Sequence, residues 1–579
     1  MSNFYTDDPD LVRQLETLDL RRVVALREDD YGQARDFAYA PHDYDDALDS
    51  YRRTLEIVGD IAGEFVAPRA EDVDRAGATL ADGEVCYAPG MSEALERLRQ
   101  ADLMGITLPR RFGGLNFPVT VSVMIVEMIS RADPALMNVF GLQDIAETVN
   151  KFASDDLRQA YLPRFASGEV TGSMALTEPE AGSDLQNVQL KATLGDDGVW
   201  RLTGVKRFIT NGCGQVSLVL ARSEEGTTDA RGLSMFLYER DEHMKIRRLE
   251  DKLGIHGSPT CELQFDDAPA QLVGERRRGL TTYVMSLMNG ARVAIAAQAQ
   301  GIAEASYRAA SKYADERVQF GGPIRNLTAV AAMLADMKVS LEASRALLYE
   351  TAMIVDLKEG LERRAGQLQS GERAAAADDE LKELRGELKT YTRLAALFTP
   401  LAKACATEMA NRIAYDSLQI HGGSGYMRDF SVERHARDAR ITNIYEGTTQ
   451  LQVVAALGGV LSGTLADRLA EYDAVDLSAT PELLARVRAA RERWAAAVAR
   501  VRELDDAAFR DFHGRRLVEA AIDLICAYLL LRAAQRDARK LLVARYFVEQ
   551  MSVRVEGAAQ AVLTGTPAAI DALQALGRD

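Results

Sequence analysis

The run Val188-Gln189-Leu190-Lys191-Ala192-Thr193, the turn Gly195-Asp196-Asp197-Gly198 and the run Val199-Trp200-Arg201-Leu202-Thr203 read as two strands joined by a hairpin. Gly and Asp supply the backbone freedom that a tight reversal needs. Ser217 to Ala221 and Leu233 to Tyr238 are further strands in a block running from about Glu169 to Arg278. Before it, Leu55, Val58, Ile61 and Phe65 recur at three- and four-residue steps, and a helical period returns from about Gly279 to the end. Helices, a β block and helices again predict an α+β fold with segregated layers, not the alternation of a Rossmann fold.

At 579 residues the chain is expected to form three or four compact units. Residues 1–50 are acidic and helix-like, with Leu11, Leu15 and Leu18 among charges, and read as an N-terminal extension. An N-terminal helical domain follows over 51–170, in which Gly113-Gly114 and Pro118 mark a loop. A central antiparallel β domain over 171–278 and a helical bundle over 279–465 come next. An additional helical domain rich in Ala, Leu and Arg covers 466–579. Inside the bundle, the charge-rich stretch 357–388 is expected as a solvent-exposed insertion or long loop.

The balance is acidic, 86 Asp+Glu against 69 Lys+Arg for a net charge of -17, which argues against a nucleic-acid partner. Five cysteines (Cys86, Cys213, Cys261, Cys405 and Cys526) lie far apart in sequence, so neither a disulfide framework nor a zinc site is expected, and no metal is assigned. The start Met1-Ser2-Asn3-Phe4-Tyr5-Thr6-Asp7-Asp8 has no positive leader or apolar core. The most apolar run, Leu517 to Leu531, is interrupted by Glu519 and Asp523. A soluble, cytoplasmic protein without membrane insertion is the expectation.

Three stretches carry chemistry. Met174-Ala175-Leu176-Thr177-Glu178-Pro179-Glu180-Ala181-Gly182-Ser183-Asp184 opens the β block with hydroxyls beside turn amides, a loop able to hydrogen-bond a planar heterocycle or merely to join two domains. In Lys206-Arg207-Phe208-Ile209-Thr210-Asn211-Gly212, a strand ending in an Asn-Gly turn places Phe208 and Thr210 on one face. The third stretch is Gln419-Ile420-His421-Gly422-Gly423-Ser424-Gly425-Tyr426, then Glu433 to Arg440, then Ile444-Tyr445-Glu446-Gly447-Thr448-Thr449-Gln450-Leu451-Gln452.

Taken together and in this order, these stretches resemble the acyl-CoA dehydrogenase superfamily from roughly Tyr51 to Gly459. The resemblance implies an N-terminal helical domain, a central β domain and a C-terminal four-helix bundle, with FAD between the last two. Position by position it implies that Met174, Leu176 and Thr177 bond the flavin ring, that Phe208 stacks near it and that Thr210 reaches toward N5. Ser183 would lie between flavin and CoA. Arg317, Phe320, Gln419 and Gly423 would hold the FAD diphosphate and adenine across a subunit boundary, making the protein at least a dimer. Thr448 and Gln450 would complete the cofactor site. Arg292 and Gly447 would contact the substrate, as would Asn289, which stands where many members have Asp.

The resemblance also implies the reaction: Glu446 takes the α-proton of an acyl-CoA as the β-hydride passes to flavin, giving the trans-2-enoyl-CoA. The thioester oxygen would be polarised by the Glu446 amide and a flavin ribityl hydroxyl. Some members place the base elsewhere, but the matching position here is Ala291, which cannot act as one. The stretch Lys252 to Cys261 and the C-terminal extension resemble the longer branch of 3-methylmercaptopropionyl-CoA and broad-range fatty acyl-CoA dehydrogenases. Within it His256 reads as either a substrate contact or a structural histidine. Decarboxylating glutaryl-CoA members carry an Arg after the Arg-x-Asp of the first helices; Pro134 to Phe140 hold none, which disfavours a dicarboxylic substrate. Electrons are expected to leave to an electron-transfer flavoprotein. An acyl-CoA oxidase and a non-catalytic DNA-associated homologue are the competing readings, and the extension suits an oligomer surface.

Overall fold

The computed structural model describes residues 2–370 and 378–578. They divide into two compact units, Met1–Ala305 with Met427–Ile441, and Ser306–Tyr426 with Thr442–Asp579.

The first unit opens with short helices whose starts are set by capping carboxylates. Asp8 accepts from the amides of Asp10 and Leu11 ahead of Pro9–Thr17, and Asp43 from that of Asp46 ahead of Tyr44–Asp60. The residues expected as an extension are fastened down. Leu11, Leu15, Val23 and Val24 are buried, the buried Glu28 pairs with the buried Arg110, and Arg131 holds Asp7 in two hydrogen bonds of 2.6 and 2.7 Å. The helix Val119–Ala132 is buried along nearly its whole length. It receives the helix Met285–Glu316 so closely that a Cβ on Gly301 would stand 2.3 Å from the Glu127 carbonyl oxygen.

A hairpin, β1 (Thr79–Ala81) and β2 (Glu84–Cys86), precedes the main sheet. Its strands are β3 (Gly172–Ala175), β4 (Lys191–Leu194), β5 (Trp200–Thr210), β6 (Val216–Arg222), β7 (Leu233–Glu239), β8 (Met244–Leu249) and β9 (Thr260–Val273). The order β3-β6-β4-β5-β9-β7 closes on itself because β6 also pairs with β7, and β8 lies on β9. The expected antiparallel domain is therefore mixed: β3 and β4 run parallel to β6. Parallel neighbours need a long connection, and between β3 and β6 the β4–β5 hairpin provides it. One face packs Leu202, Val219, Phe236, Tyr238, Leu263 and Phe265 together. The other packs Leu218, Leu220, Met235 and Leu237 against Ile145, Phe165 and Tyr283 of the flanking helices.

Among its described residues the second unit is helical apart from turns and a small hairpin, β10 (Val318–Gln319) and β11 (Gly322–Pro323). The long helices Thr328–Ser370 and Asp378–His421 pack together, and Thr449–Leu461 lies along the second. The end of Met285–Glu316 joins them, its Ser306 carbonyl accepting from Ser417 at 3.0 Å, to complete the four-helix bundle. The stretch 357–388, expected as an exposed insertion or loop, is helical in its described part, and residues 371–377 lie outside the described residues. Its charges flank an apolar stripe that buries Leu361, Ala365 and Leu384, so it continues the bundle helices.

The extra C-terminal helices Pro481–Leu504, Ala507–Ala534 and Ala538–Thr564 pack on one another and on this bundle. Polar staples fix them there. The buried Glu350 receives Arg468 at 2.6 Å, Arg532 at 2.9 Å and the Tyr472 hydroxyl at 2.7 Å, and the buried Glu342 receives Lys540 at 2.7 Å and Arg539. Among the described residues no single helix is long and apolar enough to cross a membrane.

Candidate active site

The loop after β3 is held from beneath by a buried ion pair. Glu178 accepts from Lys206 Nζ at 2.8 Å and from the amides of Gln189 and Leu190 at 2.7 and 3.0 Å. Lys206 also donates to the Leu176 carbonyl at 2.8 Å, and the Arg207 amide donates to the Thr177 carbonyl at 2.9 Å. Burial pushes the Lys206 ammonium down to about 8 against the raising pull of Glu178. With both carbonyls tied inward, the planar peptide turns the Thr177 amide the other way.

Phe208 departs from the regular strand expected for it. Lys206 faces Leu263 while Ile209 faces Cys261, so one extra residue bulges from β5, and Phe208 takes a φ of 60°. Its ring is left 52% exposed, with the Arg207 guanidinium 4.6 Å from its centroid. Asn211 ends the strand at φ 51° with its side chain buried. Its amide group donates to the Gly172 carbonyl at 2.9 Å, and its carbonyl oxygen accepts from Tyr87. The bulge and the loop thus bring Met174, Leu176, Thr177, Phe208 and Thr210 to one edge of the β domain. A half-exposed aromatic ring near two threonines and the outward-turned Thr177 amide fits a planar heterocycle. Ser183 lies on the exposed part of the same loop.

On the first unit's part of Met285–Glu316, Arg292 donates to Asn289 Oδ1 at 3.3 Å, so Asn289 orients the guanidinium. His256 is bound on both ring nitrogens, to Asp74 at 2.9 Å and to the Lys252 carbonyl at 2.7 Å, which makes it a structural tie. Arg437 joins Asp74 at 2.7 Å and Glu433 at 2.7 Å. Burial raises the Asp74 pKa, but Arg437 and His256 outweigh it and hold the carboxyl below its usual range. Burial pushes the nearby Asp438 up to about 7; it accepts from the Ile255 amide at 2.6 Å and lies 3.9 Å from Arg434.

In the second unit Glu446 occupies a turn between two helices. Its φ is 53° and that of Gly447 is 89°, two successive left-handed residues. The turn is pinned by Lys403, fully buried on Asp378–His421, whose Nζ donates to the Tyr445 carbonyl at 2.7 Å and the Gly447 carbonyl at 2.6 Å. Gln452 Nε2 donates to the Gly447 and Glu446 carbonyls at 2.8 and 3.3 Å. Thr448 caps Thr449–Leu461 by accepting the Leu451 amide at 3.4 Å, and Gln450 is exposed in the first turn. The partly exposed Glu446 therefore sits on a rigid two-residue corner. Lys403 and Gln452 were not read from the sequence, although a lysine amid the apolar run Leu397 to Ala406 is a signal.

The remaining residues expected at the cofactor lie on exposed turns of the second unit. Phe320, at φ 51° before Gly321 at 87°, forms the two-residue tip of the β10–β11 hairpin, and its ring is 93% exposed. Arg317 anchors the hairpin's base, where its carbonyl accepts the Ile324 amide at 2.8 Å. Gln419 is exposed in the last turn of its helix. Gly423 follows in a turn where an added Cβ would meet nothing within 4 Å, which leaves its backbone open to close approach.

Comparison with known proteins agrees along nearly the whole chain. The acyl-CoA dehydrogenase N-terminal domain family matches residues 49–169, the middle domain 173–268, and the C-terminal domain 278–387 and 372–456. A further family, acyl-CoA dehydrogenase C terminal, matches 461–563. The chain is 32% identical over 488 residues to 3-methylmercaptopropionyl-CoA dehydrogenase of Ruegeria pomeroyi, covering 79% of this chain and 78% of that protein. The butyryl-CoA dehydrogenase structure from Megasphaera elsdenii is 30% identical, with a TM-score of 0.59 over 71% of this chain and 98% of that one. An acyl-CoA dehydrogenase of Bacillus anthracis, solved with FAD, shares the fold at 22% identity, with a TM-score of 0.73 over 91% of this chain and 90% of that one. With these matches running in order along the chain, it belongs to the acyl-CoA dehydrogenase family.

Proposed function

We propose that this chain oxidises an acyl-CoA thioester to its trans-2-enoyl-CoA with Glu446 as the base. As a member of its family it is an FAD-dependent oxidoreductase acting on acyl-CoA. The observation that carries the finer reading is the corner at Glu446, where the backbone of an acidic residue is held in a left-handed conformation by Lys403 and Gln452. Such a corner fixes the backbone from which the carboxylate projects and which way the amide points, as taking a proton next to a carbonyl requires.

Met174, Leu176, Thr177 and Thr210 hold the flavin ring in this reading, and Phe208 stacks beside it. Thr448 and Gln450 complete that site, while Arg317, Phe320, Gln419 and Gly423 hold the dinucleotide of a second copy. The nearly bare ring of Phe320 supports that assignment, because an aromatic at the tip of a tight hairpin gains burial only from something outside its own subunit. The active form is then a homodimer or a larger homo-oligomer. When bound, FAD supplies the acceptor for the β-hydride, and the electrons go on to an electron-transfer flavoprotein. Ser183, Asn289, Arg292 and Gly447 contact the acyl-CoA. The Glu446 carboxylate takes the α-proton, and the Glu446 amide donates to the thioester oxygen as negative charge gathers there.

The test is anaerobic bleaching of the protein's flavin by a panel of acyl-CoAs of increasing chain length, with Glu446→Gln in parallel. Rapid bleaching by one chain class, lost in the variant, is the expected result and names the substrate. Bound FAD that no acyl-CoA reduces would overturn the reading.

A further inference from the structure

Lys403 is a charged side chain buried in the second unit. Its side chain is fully buried on the helix Asp378–His421, where an apolar residue of similar length would pack at lower cost. It spends two N–H bonds on one short piece of backbone, the Tyr445 carbonyl at 2.7 Å and the Gly447 carbonyl at 2.6 Å. Those carbonyls bracket Glu446, and the Glu446 carbonyl goes to Gln452 instead.

The geometry has a chemical consequence. No peptide bond in the described chain is cis, so the Glu446 N–H points opposite to the Tyr445 carbonyl and therefore away from Lys403. An ammonium bonded to a peptide carbonyl withdraws electron density through that peptide and strengthens its N–H as a donor. The second bond, at Gly447, stops the corner from rotating, which fixes the direction of the Glu446 N–H.

We propose that Lys403 is a positioning residue for the reaction: from beneath the Glu446 corner it aims and polarises the Glu446 N–H toward the thioester oxygen of the substrate. The proposal rests on the reading of Glu446 as the base. In this role Lys403 acts through the peptide it holds, not by contact with substrate or cofactor, and no proton leaves it.

The test uses the full-length holoprotein, with Lys403→Met, which keeps length and removes charge, and Lys403→Gln, which keeps one N–H donor. The probe is 3-thiahexanoyl-CoA labelled with 13C at the thioester carbon; sulfur in place of the β-carbon leaves no β-hydrogen to transfer. The 13C=O stretch of the bound probe, read by infrared difference, reports polarisation of the thioester. Steady-state kinetics with butyryl- and octanoyl-CoA report turnover.

Wild type is expected to lower the stretch relative to water. Lys403→Met should lose half or more of that shift and about 10²-fold in kcat, with little change in KM, as expected for weakening one oxyanion donor. Lys403→Gln should fall between the two and serves alone if the Met variant does not fold. An unchanged stretch and kcat in both variants beside an active wild type would overturn the proposal. So would loss of flavin and a matching rise of KM in both, which is the signature of a merely structural residue. A wild type that neither shifts the probe nor is reduced by any acyl-CoA would overturn the assignment of Glu446, and the role of Lys403 with it.

Discussion

Lys206 and Glu178 form a buried ion pair at 2.8 Å under the loop that presents Leu176 and Thr177. Breaking such a pair from one side strands a charge in the interior, which costs about 3–5 kcal/mol, whereas removing both partners costs far less. Glu178→Gln and Lys206→Met are each expected to destabilise the protein by that amount and to release flavin. The double variant should cost less than either single, a recovery of more than about 3–5 kcal/mol relative to their sum. Urea unfolding of the four proteins, with flavin content read from absorbance, checks the cycle.

The same lysine sets a pH dependence. Its folded pKa of about 8 lies below the unfolded value of about 10.4, so between those values the unfolded chain binds more protons. Stability carried by this group therefore rises as pH increases from about 8 to about 10. Lys206→Met is expected to lack the rise, and equal slopes for the two proteins in unfolding free energy against pH would contradict the assignment.

Glu446 takes a φ of 53° that a residue with a Cβ adopts at a cost of about 1–2 kcal/mol. Glycine carries no such penalty, so Glu446→Gly is expected to hold or raise thermal stability by up to about 1 kcal/mol while abolishing flavin reduction. At the next residue the sign reverses. Gly447 has a φ of 89°, and a Cβ there would stand 2.8 Å from Gln452 Nε2, so Gly447→Ala should lose about 1–2 kcal/mol and much of the turnover. Melting temperatures and anaerobic reduction of the pair test the corner directly.

How much of this was legible in the sequence depends on the range of the interactions involved. Leu233 to Tyr238 was readable as a strand because its apolar pattern is local, and it forms β7. The bulge at Phe208 was not, because it arises from the offset of Lys206–Ile209 against Cys261–Leu263, more than fifty residues on. The parallel pairing of β3 with β6 was hidden for the same reason. Charge misled along 357–388, where a helix keeps its charges in solvent and still buries Leu361 and Ala365. Glu446 stood out through the motif around it. Lys403 did not, since a lysine in a helix ordinarily belongs to a wet face and only the returning turn 445–447 gives it an interior task.

Asp438 supplies a second pH effect of opposite sign. Burial pushes its carboxyl up to about 7 despite the opposing charge of Arg434, and burial also raises Asp133, the other buried acid facing Arg434. Between about 4 and 7 the folded protein holds a proton that the unfolded chain has lost, so stability falls as pH rises through that window and is flat above it. Asp438→Asn keeps an oxygen for the Ile255 amide and removes the titration. The wild type is expected to lose about 2–4 kcal/mol relative to this variant between pH 4 and 7. A constant difference across the range would show that Asp438 stays ionised.

The C-terminal helices should detach in a charge-dependent way. Glu350 is buried between Arg468, Arg532 and the Tyr472 hydroxyl, which together tie the helices Thr464–Asp473 and Ala507–Ala534 to Thr328–Ser370. Burial alone would raise its pKa, but Arg532 and Arg468 outweigh burial and hold it below the usual range. Its stabilisation is therefore fully present above the unfolded value of about 4.3 and is lost as pH falls through the folded pKa. Glu350→Gln takes the shared carboxylate from Arg468, which keeps Glu471, and from the half-exposed Arg532, and is expected to cost about 1–3 kcal/mol at neutral pH. Hydrogen exchange should locate the loss. If Glu350 docks the extension, amides of 481–564 exchange faster in the variant while those of the β sheet keep their protection. Uniform acceleration would instead mean that the extension and the bundle unfold as one body.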